Sequence, residues 1–525
     1  MIRVNKVVLV MDLSDRVKYI SKFCGINHDH SNMIDERQGV VSFNIRLQEE
    51  IEIKNCMPSV DIIILTGEAG DGKSRMIRNL WQDLIDNRFN IVSDFSALIE
   101  SDREKIIEDI SNLLSGSENV KKQIIAANVG IFTKTLLKKN VKLLADLTSS
   151  QKVKIINFQK RNLAKKHSDE DKTFESIISE FTKYDSLNCR CDLIDQCPFK
   201  KNLDNLQNPI VIENIRVLCD ALYLMGEHIT FRELLSLIAY MATGGKNCET
   251  LLRNPDIEID YYNIFENEID ILLKKFCKLD PAMKNNKGDG VIYINSNGSL
   301  TTYKNTKRKD FFEKENDDSY LLLPVDYLGE FISIIKKLHE FPYYLKARGN
   351  DNLLIDVKKG LIKLISPQES NLEISFYDTP PKISKNIKTK FTIDINDIEL
   401  YWNRHDFKFI QGSLLQETGN NSFSLSCKFS DKTVSLNINY TLFKYILSAK
   451  NDLYLKEDSE IVEEFGISDF FRKVLKNNSI AYEKMQVIFC EKDTPNIDFE
   501  LIKYKEKDVF NEQKEKVLIK KISAK

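Results

Sequence analysis

The sequence predicts an α/β protein built on a parallel sheet covered by helices, and three observations carry that prediction. A short apolar run, Asp61-Ile62-Ile63-Ile64-Leu65-Thr66, leads directly into Gly67-Glu68-Ala69-Gly70-Asp71-Gly72-Lys73-Ser74. Behind that stretch Ile77, Leu80, Trp81, Leu84 and Ile85 recur at helical spacing. From there to about residue 165, apolar runs of strand length alternate with amphipathic stretches of helix length, the pattern of a parallel sheet with crossover helices.

The first strand is read over 61–66. The pattern after it, Gly-x4-Gly-Lys-Ser, is that of a phosphate-binding P-loop in its proper strand-to-helix context. Glycines at 67, 70 and 72 let consecutive backbone N–H groups turn inward, Lys73 brings a charge to the terminal phosphates, and the Ser74 hydroxyl suits Mg²⁺. The helix behind the loop adds its N-terminus to the anion site. Residues 67–74 are therefore expected to bind a nucleoside triphosphate, ATP, with Mg²⁺.

A second strand is read over 89–94, ending in Asp94. The next helix has Ser101 and Glu104 at capping-box spacing, with Ile106, Ile107, Ile110, Leu113 and Leu114 on one face and Gly116 closing it. Strands three and four fall over 123–128 and 153–158. Residues 166–280 read as mostly helical, with a second capping box at Thr230 and Glu233 and a stop at Gly244-Gly245. A helical module after such a sheet suggests a lid over the nucleotide, as in the AAA+ class. The polar stretch around 281–320 is taken as a boundary or long loop. Beyond it Ile387, Thr389, Phe391, Ile393 and Ile395 alternate with polar residues, and Phe423–Phe429 with the alternation at Val434, Leu436, Ile438 and Tyr440 reads as a hairpin. The expected organisation is an N-terminal segment (1–54), a P-loop core (55–165), a helical lid with a cysteine loop (166–280) and an α+β C-terminal region (281–525).

Composition sets limits. At 525 residues the chain needs more than one core. No apolar stretch reaches the roughly 18–20 residues that span a bilayer, and Asp12 interrupts the apolar start too soon for a secretory segment. A cytoplasmic protein without membrane contact is expected. Lys plus Arg number 76 and Asp plus Glu 78, so no global field draws nucleic acid. Contact with DNA would need a local patch, and 503–525, with eight lysines and four acids, is the candidate. The blander reading of that stretch is a solvated terminal helix.

Binding differs from hydrolysis, which also needs an acid near Mg²⁺, a group orienting water, and positive charge in the transition state. Asp94, at a strand end, is the candidate acid; Glu213 is a rival on pattern, but Val211, Ile215, Leu218 and Leu222 place it on a helix. Asn128, after the third strand, stands where AAA+ proteins keep a polar sensor. Arg161 and Arg232 are candidates to meet phosphate charge within one chain or across a homo-oligomer interface, against the simpler reading of surface ion pairs. Ten cysteines in such a chain make no disulfide framework. Cys189, Cys191 and Cys197 lie within nine residues and, with Cys248 as fourth ligand, form a possible structural Zn²⁺ set; the alternative is ordinary buried thiols.

The run 66–74, with Ser93-Asp94-Phe95-Ser96-Ala97, Ala126-Ala127-Asn128-Val129-Gly130, Ile155-Ile156-Asn157-Phe158 with Arg161, the loop ending Cys197-Pro198 and Ile229-Thr230-Phe231-Arg232-Glu233-Leu234, resembles DptF-type ATPases of bacterial phosphorothioation-dependent restriction systems. Related anti-phage AAA+-like ATPases share this appearance. The resemblance covers about residues 60–250. It implies an ATPase subunit of a defence complex, working with partner subunits on DNA that lacks the host's sulfur modification. The competing class is a nucleotide-gated switch or assembly scaffold with little intrinsic hydrolysis. A small-molecule kinase fits less well, because the long helical and C-terminal parts do not resemble a compact kinase lid.

Overall fold

The apolar run at 62–66 becomes a strand with every residue buried, because three consecutive isoleucines favour extended backbone and have apolar neighbours on both faces. The structure is a computed structural model, and it describes residues 12–24, 47–117, 121–139, 143, 146–147, 150–165, 171–185, 194–254, 257–266, 271–284, 300–315, 318–340, 352–365, 372–376, 387–393, 398–403, 422–429, 432–451, 466–477, 485–489, 499–507 and 513–521. The chain divides into two units, residues 1–325 with 408–418, and residues 326–407 with 419–525.

In the first unit four parallel strands, β1 (Ile62–Thr66), β2 (Asn90–Val92), β3 (Gln123–Ala127) and β4 (Val153–Asn157), lie in the order β2-β3-β1-β4. Ile64 is level with Ile125 on one side and Ile155 on the other. Burying Ile62, Ile63, Ile64 and Leu65 contributes about 2 kcal/mol each in transfer free energy. One face packs on Phe95, Ile107, Ile110, Phe132 and Leu136. Because the strands are parallel, the residues after each of them gather at one edge of the sheet. Thr66 is level with Ala127 and Asn157, so the loop from Gly67 opens between the ends of β3 and β4.

Two helix expectations need correction. The helix behind the loop is broken at Leu80 (φ −94°, ψ 4°) into Lys73–Asn79 and Trp81–Asp86. Met76, Ile77, Leu80 and Leu84 are buried, whereas Trp81 and Ile85 are each 48% exposed, since the break turns them off the core face. The helix expected to begin at Ser101 begins at Glu100, with Ile99 at its N-cap and no side-chain cap bond. Ser101 therefore lies inside the first turn, and Gly116 follows the end at φ 86°.

The part after the sheet is helical in its described residues: Thr173–Thr182, Pro198–Asn205, Pro209–Leu224, Phe231–Thr243, Cys248–Arg253 and Ile271–Cys277. Pro209 at the first turn behind an Asn208 cap starts a helix that is buried nearly all round. Phe231–Thr243 starts at the Thr230–Glu233 capping box, with both reciprocal bonds made, and stops at left-handed Gly244. The N-terminal helix Leu13–Ser21 joins this module, with Arg16 Nη1 donating to the Phe181 carbonyl at 3.3 Å. The polar stretch expected as boundary or loop contains a helix, Leu300–Glu313, held in the same unit by buried Phe311 and Phe312. Arg308, 1% exposed, makes a two-pronged bond to Asp280 at 3.0 and 2.6 Å.

The second unit is α+β in its described residues. An antiparallel sheet β12-β11-β10-β6-β5 uses β5 (Leu372–Phe376), β6 (Ile387–Ile393), β10 (Met485–Phe489), β11 (Phe499–Lys507) and β12 (Gln513–Lys521). A second sheet joins β7 (Leu400–Asn403) to the hairpin β8 (Phe423–Phe429) and β9 (Lys432–Ile438). The lysine-rich end is thus a pair of antiparallel strands, not the terminal helix its charge pattern suggested. The period of two in Lys503, Lys505 and Lys507, which puts the three on one face of β11, is the strand feature of that stretch. Gly360 on the helix Asn352–Ile365 permits a backbone contact: a Cβ there would lie 1.9 Å from the Ile446 carbonyl oxygen. The short apolar runs Val7–Met11 and Val40–Ile45, which read as possible strands, and the polar stretch His28-Asp29-His30, which reads as a loop, lie outside the described residues.

Candidate functional site

The loop between β1 and Lys73 is braced by its own aspartate. Asp71 is fully buried, and its Oδ2 accepts the Glu68 N–H at 2.6 Å. Close approach explains two of the glycines. A Cβ on Gly67 would stand 2.5 Å from Asp71 Oδ2 and 2.9 Å from Phe158 Cβ, and one on Gly70 would stand 3.0 Å from Arg232 Cβ. The helix that follows is only seven residues long, so the loop backbone and Lys73, more than a helix dipole, make this an anion site.

Lys73 Nζ donates to the carbonyls of Gly67 at 3.0 Å and Glu68 at 2.6 Å, lying back across the loop. Burial holds its ammonium below the ordinary lysine range, against Asp71, Asp94 and Glu68, which act to raise it. Ser74 is exposed, and its hydroxyl donates to the Ser93 carbonyl at 3.4 Å. That bond brings the loop's serine beside the segment after β2, where Asp94 is exposed at the same edge of the sheet. Asp94 Oδ1 accepts the N–H groups of Ser96 and Ala97 at 2.9 and 3.2 Å, a local turn that fixes the carboxylate. The turn is tied to β3 through Phe95 N–H to Ala126 O at 2.8 Å. A hydroxyl and a carboxylate here are the hard oxygen donors Mg²⁺ takes from a protein.

The remaining sequence candidates separate. Asn128 follows β3, and its Oδ1 accepts the N–H groups of Gly130 and Ile131, so that oxygen caps the helix Val129–Lys139. Arg161 lies beneath the loop. Its Nη2 donates to the Asp71 carbonyl at 2.8 Å, its guanidinium sits 4.8 Å over Phe158, and Glu49 is 3.7 Å from Nε. Burial lowers this guanidinium's pKa, with Glu49 and Asp71 opposing. Nη1 is buried without a hydrogen-bond partner among the described residues. Arg232 meets the loop from the helical side, where its N–H donates to the Gly70 carbonyl at 3.0 Å. Burial lowers its pKa too, and no ion pair is formed among the described residues. Neither arginine is the surface ion pair of the simpler reading. Glu213 is on the helix Pro209–Leu224, next to Arg216.

Of the four thiols, Cys189 and Cys191 lie outside the described residues. Cys197 is the N-cap of Pro198–Asn205 and Cys248 begins its own helix. Among the described residues no three metal-ligating side chains cluster, so the zinc set has no support there.

Sequence reasoning missed His228. Its Nε2 lies 2.8 Å from Asp71 Oδ1, so the loop's buried carboxylate is shared between the Glu68 N–H and a ring from the helical module. Its signal was weak: one histidine two residues before a capping box. A small open recess lies nearby, lined by Arg161, Asn162, Phe174, Cys219, Tyr223 and Leu234 among others. Half-buried Asp220, next to Cys219 of that lining, accepts from Tyr320 Oη at 2.7 Å and Asn162 Nδ2 at 2.5 Å, and desolvation pushes its carboxyl above the usual range.

Residues 52–197 match the model of the KAP family P-loop domain. The match spans the four-stranded sheet and the loop, and it ends before His228 and Arg232. It supports a P-loop nucleotide-binding domain of α/β fold and is consistent with ATPase activity. No curated protein and no solved structure matches the chain. Among the described residues no helix is long and apolar enough to cross a membrane.

Proposed function

We propose that the protein, through its KAP-like P-loop domain, hydrolyses ATP and couples that turnover to conformational change in partner subunits of a bacterial DNA-restriction or anti-phage defence complex. The observation that carries the enzymatic part is the meeting of Lys73, Ser74 and Asp94 at one edge of the sheet. Lys73 leaves the Gly67 and Glu68 carbonyls for the terminal phosphates, which replace two weak acceptors with charge-assisted ones. Ser74 and Asp94 would hold Mg²⁺, which would supply charge neutralisation on the phosphates. Arg161 holds the loop from below and Arg232 contributes charge from the helical side within one chain. The Nδ2 of Asn128 is the part of that side chain left to orient water.

The defence role rests on the resemblance of residues 60–250 to DptF-type ATPases, and a cytoplasmic location is proposed along with it. Contact with DNA falls to the β11–β12 pair, where 503–507 and 513–517 carry five lysines and two acids. A two-stranded ribbon has the width to enter a major groove. One observation favours the second reading, a switch with little hydrolysis: Asn128 spends its oxygen on a cap and Arg161 is buried beneath the loop, which leaves few groups to act on water.

Steady-state ATP hydrolysis by the purified protein, beside Lys73→Ala and Asp94→Ala and with and without duplex DNA, tests both readings. Turnover lost in both variants and raised by DNA supports the first. Tight nucleotide binding without turnover under every condition replaces it with the switch.

A further inference from the structure

We infer that His228 is a positioning residue for the nucleotide: acting through Asp71, it sets the shape of the phosphate loop from the helical module. This inference rests on the reading of residues 67–74 as an ATP site.

The loop can present its N–H groups to phosphate only while its backbone keeps one curvature, and Asp71 is the side chain that enforces it. Its carboxylate has no solvent exposure, so it needs donors within the protein. The Glu68 N–H supplies one inside the loop. The other, His228 Nε2, comes from 157 residues away. His228 Nδ1 is buried without a hydrogen-bond partner among the described residues, so Nε2 is the ring nitrogen that meets the Asp71 carboxylate.

His228 is itself held. Lys275 Nζ, on the helix Ile271–Cys277, donates to the His228 carbonyl at 3.0 Å and to Glu233 Oε1 at 2.8 Å. Glu233 is the return arm of the capping box that begins Phe231–Thr243, and the next contact on that segment is Arg232 N–H to Gly70 O. Residues 228–233 thus grip the loop at Asp71 and Gly70 and the helical module at Lys275. A shift of that module would reach the loop as a change in nucleotide affinity, and by linkage nucleotide would bias the module to the same degree. The grip acts on loop shape and touches neither water nor the bond that breaks, so its effect belongs in affinity and not in the chemical step.

The test uses the full chain, Mg²⁺ and a fluorescent ATP analogue, with Lys73→Ala as reference. His228→Ala is expected to raise Kd about 10-fold or more, because it strands a buried acceptor, with turnover at saturating ATP within about 2-fold of the unaltered protein. His228→Gln, which retains a donor, is expected to recover Kd to within about 3-fold. In an Asp71→Ala background His228→Ala should add nothing, a coupling that a role in general packing would not produce. Unchanged Kd in His228→Ala while Lys73→Ala loses binding overturns the inference and leaves the ATP site standing. Equal losses in His228→Ala and His228→Gln, or an undiminished His228→Ala effect without Asp71, also overturn it. If Lys73→Ala binds nucleotide as well as the unaltered protein, the ATP site itself is refuted and the inference goes with it.

Discussion

Replacing Gly67 and Gly72 by alanine, one at a time, should weaken nucleotide binding by very different amounts. Gly72 has φ 89°, and a Cβ there meets nothing within 4 Å, so Gly72→Ala costs only the left-handed backbone. That is about 1–2 kcal/mol, or about 5–30-fold in Kd if all of it falls on the binding-competent loop. Gly67 also has positive φ, at 154°, and its Cβ would lie 2.5 Å from Asp71 Oδ2, where ordinary contact begins near 3.4 Å. Asp71 cannot retreat without loosening its bond to Glu68 N–H or to His228, and a hydrogen bond to a charged group is worth about 1.5–3 kcal/mol. The sum for Gly67→Ala is about 2.5–5 kcal/mol, a loss of about 70- to 5,000-fold in affinity. Equilibrium titration of each variant with a fluorescent nucleotide, alongside a thermal melt to confirm folding, measures both. If Gly67→Ala binds as well as Gly72→Ala, Asp71 is not the brace of the loop.

Three further outcomes are expected. Arg308→Met leaves the 4%-exposed Asp280 without its cation and should cost about 3–5 kcal/mol of stability; urea unfolding with a loss under about 1 kcal/mol would show the pair to be dispensable. Burial raises the folded pKa of Asp220 above its unfolded value, so its contribution to stability is full below about pH 4 and is lost as pH rises through the folded value. Asp220→Asn should flatten the fall in melting temperature over that window, and parallel profiles for the two proteins would contradict the assignment. Neutralising Lys503, Lys505 and Lys507 together to Gln should weaken duplex DNA binding and reduce its salt slope by about 2.7, the value for three phosphate contacts; an unchanged slope in fluorescence anisotropy would remove β11 from the interface.

Some of this was legible because it is local. Three isoleucines before a glycine loop make a buried strand wherever they occur, and Gly-x4-Gly-Lys-Ser needs no distant residue to be recognised. Thr230 and Glu233 satisfy each other's backbone within a single turn, so their capping box was readable from spacing alone. The break at Leu80 was not, since Trp81 and Ile85 keep helical spacing while the backbone between them and Ile77 turns. The lysine-rich end misled because charge density was weighed ahead of its period of two.

What the chain determined by itself, then, is the phosphate loop, the strand that precedes it and the alternation that makes a parallel sheet. Only the tertiary structure decided that Asp94 stands beside Ser74 and Lys73, that Arg161 lies beneath the loop, and that His228 shares the carboxylate of Asp71. Those pairings join residues from about 20 to 157 positions apart. A buried carboxylate must find a donor, but nothing in its own neighbourhood of sequence says which turn of the folded chain will bring one.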